Sequence, residues 1–336
     1  MKVFAPGKLI LSGEHAAVYG KPALAMAVNR YVTATATPQL LPFVSFDLSD
    51  LSYEKSLSLT ALDHLKNRIK SKYKKFIHGE YKIREVLHKP VELAQFAMSL
   101  FFETLNLTLT QGVKIHVRSD IPIGCGMGSS AATILSIVHA IANHLRMDLS
   151  SDIFYRLGLE AENMQHGQSS GLDVRVSLQG GCLFIKEGQI QNRAVPSVSM
   201  YLVNTGTPET TTGECVTMAA DHFKNSSIGN DFAAVTEAMD VALQQNQFDD
   251  IQQSIRANHE LLTRIGVVPL RVQSFIKDIE RNNGAAKICG AGAVAGQKAG
   301  MVLIVTQDEN ALKELCMKYD HAILPIMGET RGVHVG

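Results

Sequence analysis

The chain has 336 residues, 46% of them hydrophobic and 19% charged, a balance that supplies sizeable cores and argues against general disorder. Lys plus Arg number 32 and Asp plus Glu 32, so the formal net charge is zero, and nothing in it favours nucleic acid or an anionic membrane surface as a partner. Five scattered cysteines (Cys125, Cys182, Cys215, Cys289, Cys316) are odd in number and show no metal-ligand spacing, which fits a reducing cytoplasm better than a disulfide framework. The length suggests two domains. Pro6 and Gly7 break the opening stretch, so no signal peptide is expected there. No apolar run reaches the roughly 18 residues of a membrane span.

In chain order, Val3-Phe4-Ala5 reads as a short strand ended by Pro6-Gly7. Lys8-Leu9-Ile10-Leu11 then carries a buried strand into a turn that holds Glu14 and His15. Charged groups among apolar neighbours must be paired or used; the plain alternative is a Lys8–Glu14 pair with His15 a satisfied core histidine. Residues 22–37 read as strand, with alternation from Val32 to Thr37. The stretch to about residue 60 shows no regular pattern. A helical pattern begins at Leu62, and between Lys66 and Lys89 it carries nine Lys/Arg against two Glu. A solvated helix face explains this stripe better than RNA binding, because the rest of the chain balances it. Lys89-Pro90 interrupts the helix, and Val91 to Leu105 resumes it with apolar residues at helical spacing.

The most informative stretch is Pro122-Ile123-Gly124-Cys125-Gly126-Met127-Gly128-Ser129-Ser130-Ala131-Ala132. It follows a strand-like Val113–Val117 and precedes the apolar run Ile134–Ala142, whose length and alanines favour a helix. Strand, glycine loop and helix in that order make an anion site. Glycines let the backbone turn with positive φ and let a ligand approach, and unpaired first-turn N–H groups face the loop at the positive end of the helix dipole. The serine hydroxyls suit phosphate oxygens or bound magnesium. The bland alternative is a tight turn with a serine N-cap. The loop is neither a Walker loop, since Gly7-Lys8 and Gly20-Lys21 lack the upstream glycine and the following Ser/Thr, nor a dinucleotide fingerprint, since its spacing is G-x-G-x-G.

Beyond it, Asp152 is placed to cap a helix from Ile153 to about His166. Glu160 and Glu162 cannot share a face of that helix, so only one reaches any given site. Gly167 to Gly171 ends it, Leu172-Asp173-Val174 follows, and residues 181–185 read as an apolar strand. The polar stretch from Lys186 to Val195 reads as the crossing into a second domain. There Tyr201–Asn204 is a strand, the hydroxyl-rich residues 205–214 open a helix, and two or three more helices run to about Asn282. Residues 284–289 form a strand, 290–296 a second glycine loop and 300–305 another strand; helix Glu309–Tyr319 and strand Ala322–Pro325 close a split βαβ pattern.

Three of these stretches resemble one family. Ala5 to Gly20 resembles the first motif of the GHMP small-molecule kinases, most closely the mevalonate kinase branch. Pro122 to Ala132 resembles their phosphate-binding motif, and Lys287-Ile288-Cys289-Gly290-Ala291-Gly292 the start of their third. Glu162 to Asp173 is similar to the segment that runs from the magnesium glutamate to the catalytic aspartate, with the same internal spacing. The resemblance spans both halves of the chain in the right order.

It implies an α+β, two-domain GHMP kinase fold: an N-terminal ATP-binding α/β domain over 1–190 and a C-terminal ferredoxin-like split βαβ domain over 191–336. It implies ATP-dependent phosphorylation of the primary hydroxyl of mevalonate to 5-phosphomevalonate. Pro122, Gly124, Gly126, Met127, Gly128, Ser129, Ser130 and Ala131, with Gly290, Ala291 and Gly292, would bind ATP. Ser130 and Glu162 would hold Mg2+, a sparse set because magnesium keeps several waters. Asp173 would accept or orient the proton of the substrate hydroxyl, with Lys8 stabilising negative charge beside it. Glu14, His15 and Thr211 would line the substrate pocket with Lys8 and Asp173, His15 holding a carboxylate or hydroxyl. The partners implied are small molecules, with no nucleic acid and no membrane, in a cytoplasmic enzyme whose relatives are often homodimers.

Two departures from the family pattern bear on this. Ala293, Val294 and Ala295 follow Gly292 where glycines are usual, which implies a stiffer or differently placed third loop. Val174 follows Asp173 where many mevalonate kinases have Asn and phosphomevalonate kinases often have an apolar residue. The alternatives are thus a sister GHMP kinase acting on phosphomevalonate, a sugar or homoserine, and a nucleotide-binding regulator without catalysis.

Overall fold

A computed structural model describes residues 1–48, 50, 53–109, 111–122 and 126–336. β1 (Lys2–Ser12) and β2 (Ala23–Gln39) pair antiparallel at the middle of the first sheet. Pro6-Gly7 does not end a strand as expected; it lies inside β1, where the register slips between the two residues. A bulge is one of the few places a strand tolerates proline. Gly7 is fitted there because a Cβ would meet the Met127 carbonyl at 3.0 Å.

β3 (Phe43–Leu48) and β4 (Tyr53–Ser58) form a hairpin in the stretch that shows no regular sequence pattern. β4 is an edge strand with Glu54, Lys55 and Ser56 exposed, and such an edge carries no alternating apolar signal. The Ser58 hydroxyl then accepts from the Ala61 N–H and caps α1 (Leu59–Ile77). Three basic residues of the stripe on α1 are engaged in ion pairs. Buried Lys66 bridges Asp63 and Glu103, Arg68 meets Glu92, and Lys70 reaches Glu103 and Glu160. Glu92 and Glu103 sit on α2 (Pro90–Thr104), which starts on Pro90 as that residue's missing N–H allows.

β5 (Gly112–Ser119) leads through the glycine loop to α3 (Ser129–His144). α4 (Ser151–His166) has Ser150, not Asp152, at its N-cap position; Asp152 lies in the first turn, where its charge complements the dipole. α5 (Leu172–Gln179) is a helix in a stretch without a helical signature. Val174 and Val176 are poor helix formers, and their burial in the core is what stabilises it. β6 (Cys182–Lys186) and β7 (Gln189–Arg193) form a hairpin, so the polar stretch read as a crossing belongs to the first sheet. β7 is exposed along most of its length, which is why it reads as a linker. The long β2 carries β1 on one side, and on the other β6 at Ala23–Met26 and β5 at Val32–Gln39. Among the described residues, only β3 with β5 is a parallel pairing in this sheet.

The second sheet is antiparallel, built from β8 (Met200–Asn204), β9 (Ala285–Ile288), β10 (Met301–Val305) and β11 (Ile323–Ile326) in the order β11-β8-β10-β9. α6 (Thr212–Asn225), α7 (Ile228–Gln244), α8 (Phe248–Arg264) and α9 (Leu270–Arg281) separate β8 from β9, and α10 (Glu309–Tyr319) separates β10 from β11. This is the strand order of a split βαβ layer. The chain then returns: Gly328 bridges Val28, and β12 (His334–Val335) pairs with β1.

Strand alternation decides what the second sheet offers the first. Tyr201, Val203, Ala286, Ile288, Val302 and Ile304 form one core with residues of α6, α9 and α10. Met200, Leu202, Ala285, Cys289, Met301 and Leu303 join the large core of the first sheet and its helices. With period two, Lys287 falls on that second face, between Ala285 and Cys289. Among the described residues no helix is long and apolar enough to cross a membrane.

Candidate active site

Lys8 is held at both ends. Its backbone N–H donates to the Met127 carbonyl at 2.9 Å, and its Nζ lies 3.0 Å from Asp173 Oδ1. The lysine side chain is 4% exposed and the aspartate 29%, so the pair opens on the Asp173 side. Asp173 stands in the first turn of α5, whose N-cap Gly171 has φ +73°. A Cβ on Gly171 would fall 2.2 Å from the Tyr155 hydroxyl, so that turn, and Asp173 with it, is seated against α4.

The N-terminus of α3 faces the same place. Its N-cap is Gly128, in the left-handed region, with no side-chain cap hydrogen bond. Ser129 and Ser130 lie inside the helix, so the serine N-cap alternative is not what forms. First-turn N–H groups without a side-chain cap are free to meet an anion. A Cβ on Gly128 would come 2.8 Å from Lys8 Cγ, so glycine keeps the lysine against the helix end. Gly126 (φ +81°) would likewise strike the Cys289 carbonyl at 2.6 Å, and a Cβ on Gly290 would lie 3.2 Å from Gly126 Cα. The two glycine loops therefore meet backbone to backbone. Met127 lies in this turn, Ala131 in the first turn of α3 and Pro122 after β5; Gly124, with Ile123 and Cys125, lies outside the described residues.

Glu162 projects from α4 into this space and is 1% exposed, while Glu160 turns outward to Lys70. The two glutamates do face apart, as their spacing requires. Burial pushes the Glu162 carboxyl above its ordinary range; the charge of His166, whose Nε2 is 3.5 Å from Oε2, and a hydrogen bond from Ser130 pull it back. Its Oε1 is buried without a hydrogen-bond partner. An unpartnered carboxylate oxygen beside a serine hydroxyl suits a hard divalent cation. Among the described residues no three His, Cys, Asp or Glu side chains group as metal ligands. A cation here would thus take few protein oxygens and keep water, as magnesium does.

The first motif's other charge does not pair with Lys8. Glu14 is 2% exposed and ion-pairs with Lys287 of β9, which is wholly buried and also donates to the Ile10 carbonyl at 3.0 Å. Burial raises the Glu14 carboxyl, and the Lys287 charge opposes that. His15 has φ +59° and ψ −44°, a backbone that persists only where its surroundings over-determine it. Its Nε2 meets the Ala291 carbonyl at 3.0 Å, and burial pushes its pKa down, so the ring is neutral with the proton on Nε2. Glu14 Oε2 and His15 Nδ1 are both buried without partners.

The third loop is pinned. The Ala293 N–H donates to the Val267 carbonyl at 2.9 Å and the Val294 N–H to Thr210 Oγ1 at 3.3 Å. A Cβ on Gly292 would fall 2.2 Å from the Val267 carbonyl. Thr211 is exposed and is the N-cap of α6; its hydroxyl forms a capping box with Glu214.

Residues 92–181 match the family model of the GHMP kinases N terminal domain. The mevalonate kinase of Pyrococcus furiosus is 29% identical over 87% of this chain and 87% of its own length. That of Methanocaldococcus jannaschii is 27% identical over 94% and 96%. The crystal structure of a Methanococcus jannaschii mevalonate kinase superposes with a TM-score of 0.81 at 25% identity, covering 98% of each chain. Over most of its length the chain is thus similar to mevalonate kinases, and its residues 92–181 match the GHMP kinase N-terminal domain. Beside that kinase fold, Lys287 stands out as the site residue that sequence reasoning left without a role. The signal was available: a lysine flanked by Ala285, Ala286, Ile288 and Cys289 in a strand must be paired. Nothing local to it names Glu14 as the partner.

Proposed function

We propose that this chain phosphorylates the primary hydroxyl of mevalonate with ATP, giving 5-phosphomevalonate. The observation that carries the reading is the meeting of three distant motifs at Lys8: the Lys8–Asp173 pair, the uncapped N-terminus of α3 and buried Glu162. The curated relatives that match most of the chain are mevalonate kinases, which supports this acceptor. Val174, the departure that pointed toward a sister kinase, is fully buried and packs on α4, its Cγ1 lying 2.6 Å from where Gly158 would carry a Cβ. It is a packing residue, so it does not argue against mevalonate.

In this reading the first-turn N–H groups of α3 and the backbone at Gly126–Gly128 hold the phosphates of ATP, with the Gly290–Gly292 backbone closing on Gly126. Ser130 and Glu162 would hold magnesium, which would supply charge neutralisation for the phosphates. Asp173 accepts or orients the proton of the acceptor hydroxyl. Lys8 stabilises the charge that develops between the hydroxyl oxygen and the transferred group. Glu14 and His15 form the acceptor wall. Thr211 enters the reading more weakly, since its hydroxyl already serves α6. The boundary expected at residue 190 falls inside β7, so we divide the chain after that strand, between Arg193 and Met200, and place the enzyme in the cytoplasm.

The test is a coupled ADP-release assay with ATP and magnesium across mevalonate, 5-phosphomevalonate, homoserine, galactose and a no-acceptor control. Turnover confined to mevalonate is expected. Turnover confined to another acceptor moves the substrate, and ATP binding without any turnover sinks the kinase reading.

A further inference from the structure

Two neighbouring residues of the first motif each have one polar atom held by the third motif and one left bare. Lys287 takes Glu14 Oε1 and leaves Oε2 without a partner; the Ala291 carbonyl takes His15 Nε2 and leaves Nδ1 without one. Oε2 is a hydrogen-bond acceptor, and so is Nδ1, because the proton sits on Nε2. Buried acceptors without donors are uncommon and need an explanation. Two such acceptors on consecutive residues of the motif that also carries Lys8 call for a ligand that brings hydrogens.

Lys287 has no solvent-exposed surface and no second carboxylate among the described residues. Its remaining bond, to the Ile10 carbonyl, fastens β9 to β1. His259 of α8 is near enough to feel its charge and stays neutral, its pKa lowered to about 4 by burial first and by Lys287 second. Removing the ammonium would leave the Glu14 carboxylate buried and uncompensated, which is where buried pairs cost most.

We infer that Lys287 is a positioning residue for the acceptor substrate: by holding one oxygen of Glu14 it presents the other, beside His15 Nδ1, to a substrate hydroxyl rather than to the substrate's carboxylate. The inference rests on the proposed kinase reading and deepens it. Lys287 touches neither substrate nor phosphate. It acts through Glu14, whose Oε1 it holds by a single ion pair.

The test is a cycle of three variants, Lys287→Met, Glu14→Gln and the two combined, followed by thermal melting and by separate KM values for acceptor and ATP. Lys287→Met alone is expected to melt lower and to raise the mevalonate KM. The combined variant removes both charges in similar volume and restores the melting temperature. Its mevalonate KM stays raised by at least about tenfold while its ATP KM remains within about threefold of wild type. A purely structural pair predicts that KM recovers together with stability, and that result overturns the inference. So does an acceptor KM within about twofold of wild type in Lys287→Met, or an equal rise in the ATP KM. If the wild type ignores mevalonate but uses another acceptor, the function is corrected and the cycle is read on that acceptor. If it turns over none, both fall.

Discussion

Lys8 Nζ stands 3.0 Å from Asp173 Oδ1, so the first strand and the first turn of α5 share one charged contact. A lysine that is 4% exposed has few places to put its charge, and the contact orients Asp173 toward the open side. Asp173→Asn keeps the shape but loses the proton acceptor. Turnover should fall by roughly 10²–10⁴-fold, with ATP affinity within a few-fold, because the loss is confined to the transition state. Steady-state rates and a nucleotide-binding titration check this; near-normal turnover would remove Asp173 from the mechanism.

Glu162 brings a buried, unpartnered oxygen to the place where Ser130 offers its hydroxyl. Ser130→Ala should raise the magnesium concentration needed for half-maximal rate, and Glu162→Gln should raise it further, by about tenfold or more. Magnesium titrations that superpose on wild type would strike both residues from the cation site.

Two glycines with similar backbones separate strain from collision. Gly126 (φ +81°) would place a Cβ 2.6 Å from the Cys289 carbonyl, whereas Gly188 (φ +77°) meets nothing within 4 Å. Gly188→Ala should cost on the order of 1 kcal/mol, from positive φ alone. Gly126→Ala should cost more and raise the ATP KM as well, because the two glycine loops must part. Equal melting shifts with an unchanged ATP KM would mean that the loops do not depend on each other.

His139 is partly buried and His259 buried, and desolvation lowers each from 6.5 to about 4. Between those values the unfolded chain binds protons that the folded chain refuses, so stability rises with pH across the window and is lost as pH falls from about 6.5 toward 4. The expected loss is on the order of 1–3 kcal/mol for each histidine at the acid end. His139 stacks on Phe154 and its Nε2 has no partner. His139→Leu should therefore remove about half of this slope in melts recorded from pH 7 to 4.5. An unaltered slope would assign the acid loss to other groups.

The sequence by itself determined the parts whose causes are local. The glycine loop before α3 and the apolar periodicity of α2, α3 and α10 can be read within a few residues of themselves, since turns and amphipathic helices are set by neighbouring φ/ψ and burial. Lys8 was legible as a charge in apolar surroundings, whereas Glu162 and Asp173 took their roles from the family resemblance alone. Tertiary structure alone decided the partners: Glu14 goes to Lys287, not to Lys8, and Lys8 goes to Asp173. It also decided α5, the exposed strands β4 and β7, and the return of β12 to β1, none of which carries a strong local pattern. The reason is the range of the forces. Helix and turn preferences act over a few residues, whereas a buried charge is paired with whatever the packed sheets bring beside it, and only the completed fold specifies that neighbour.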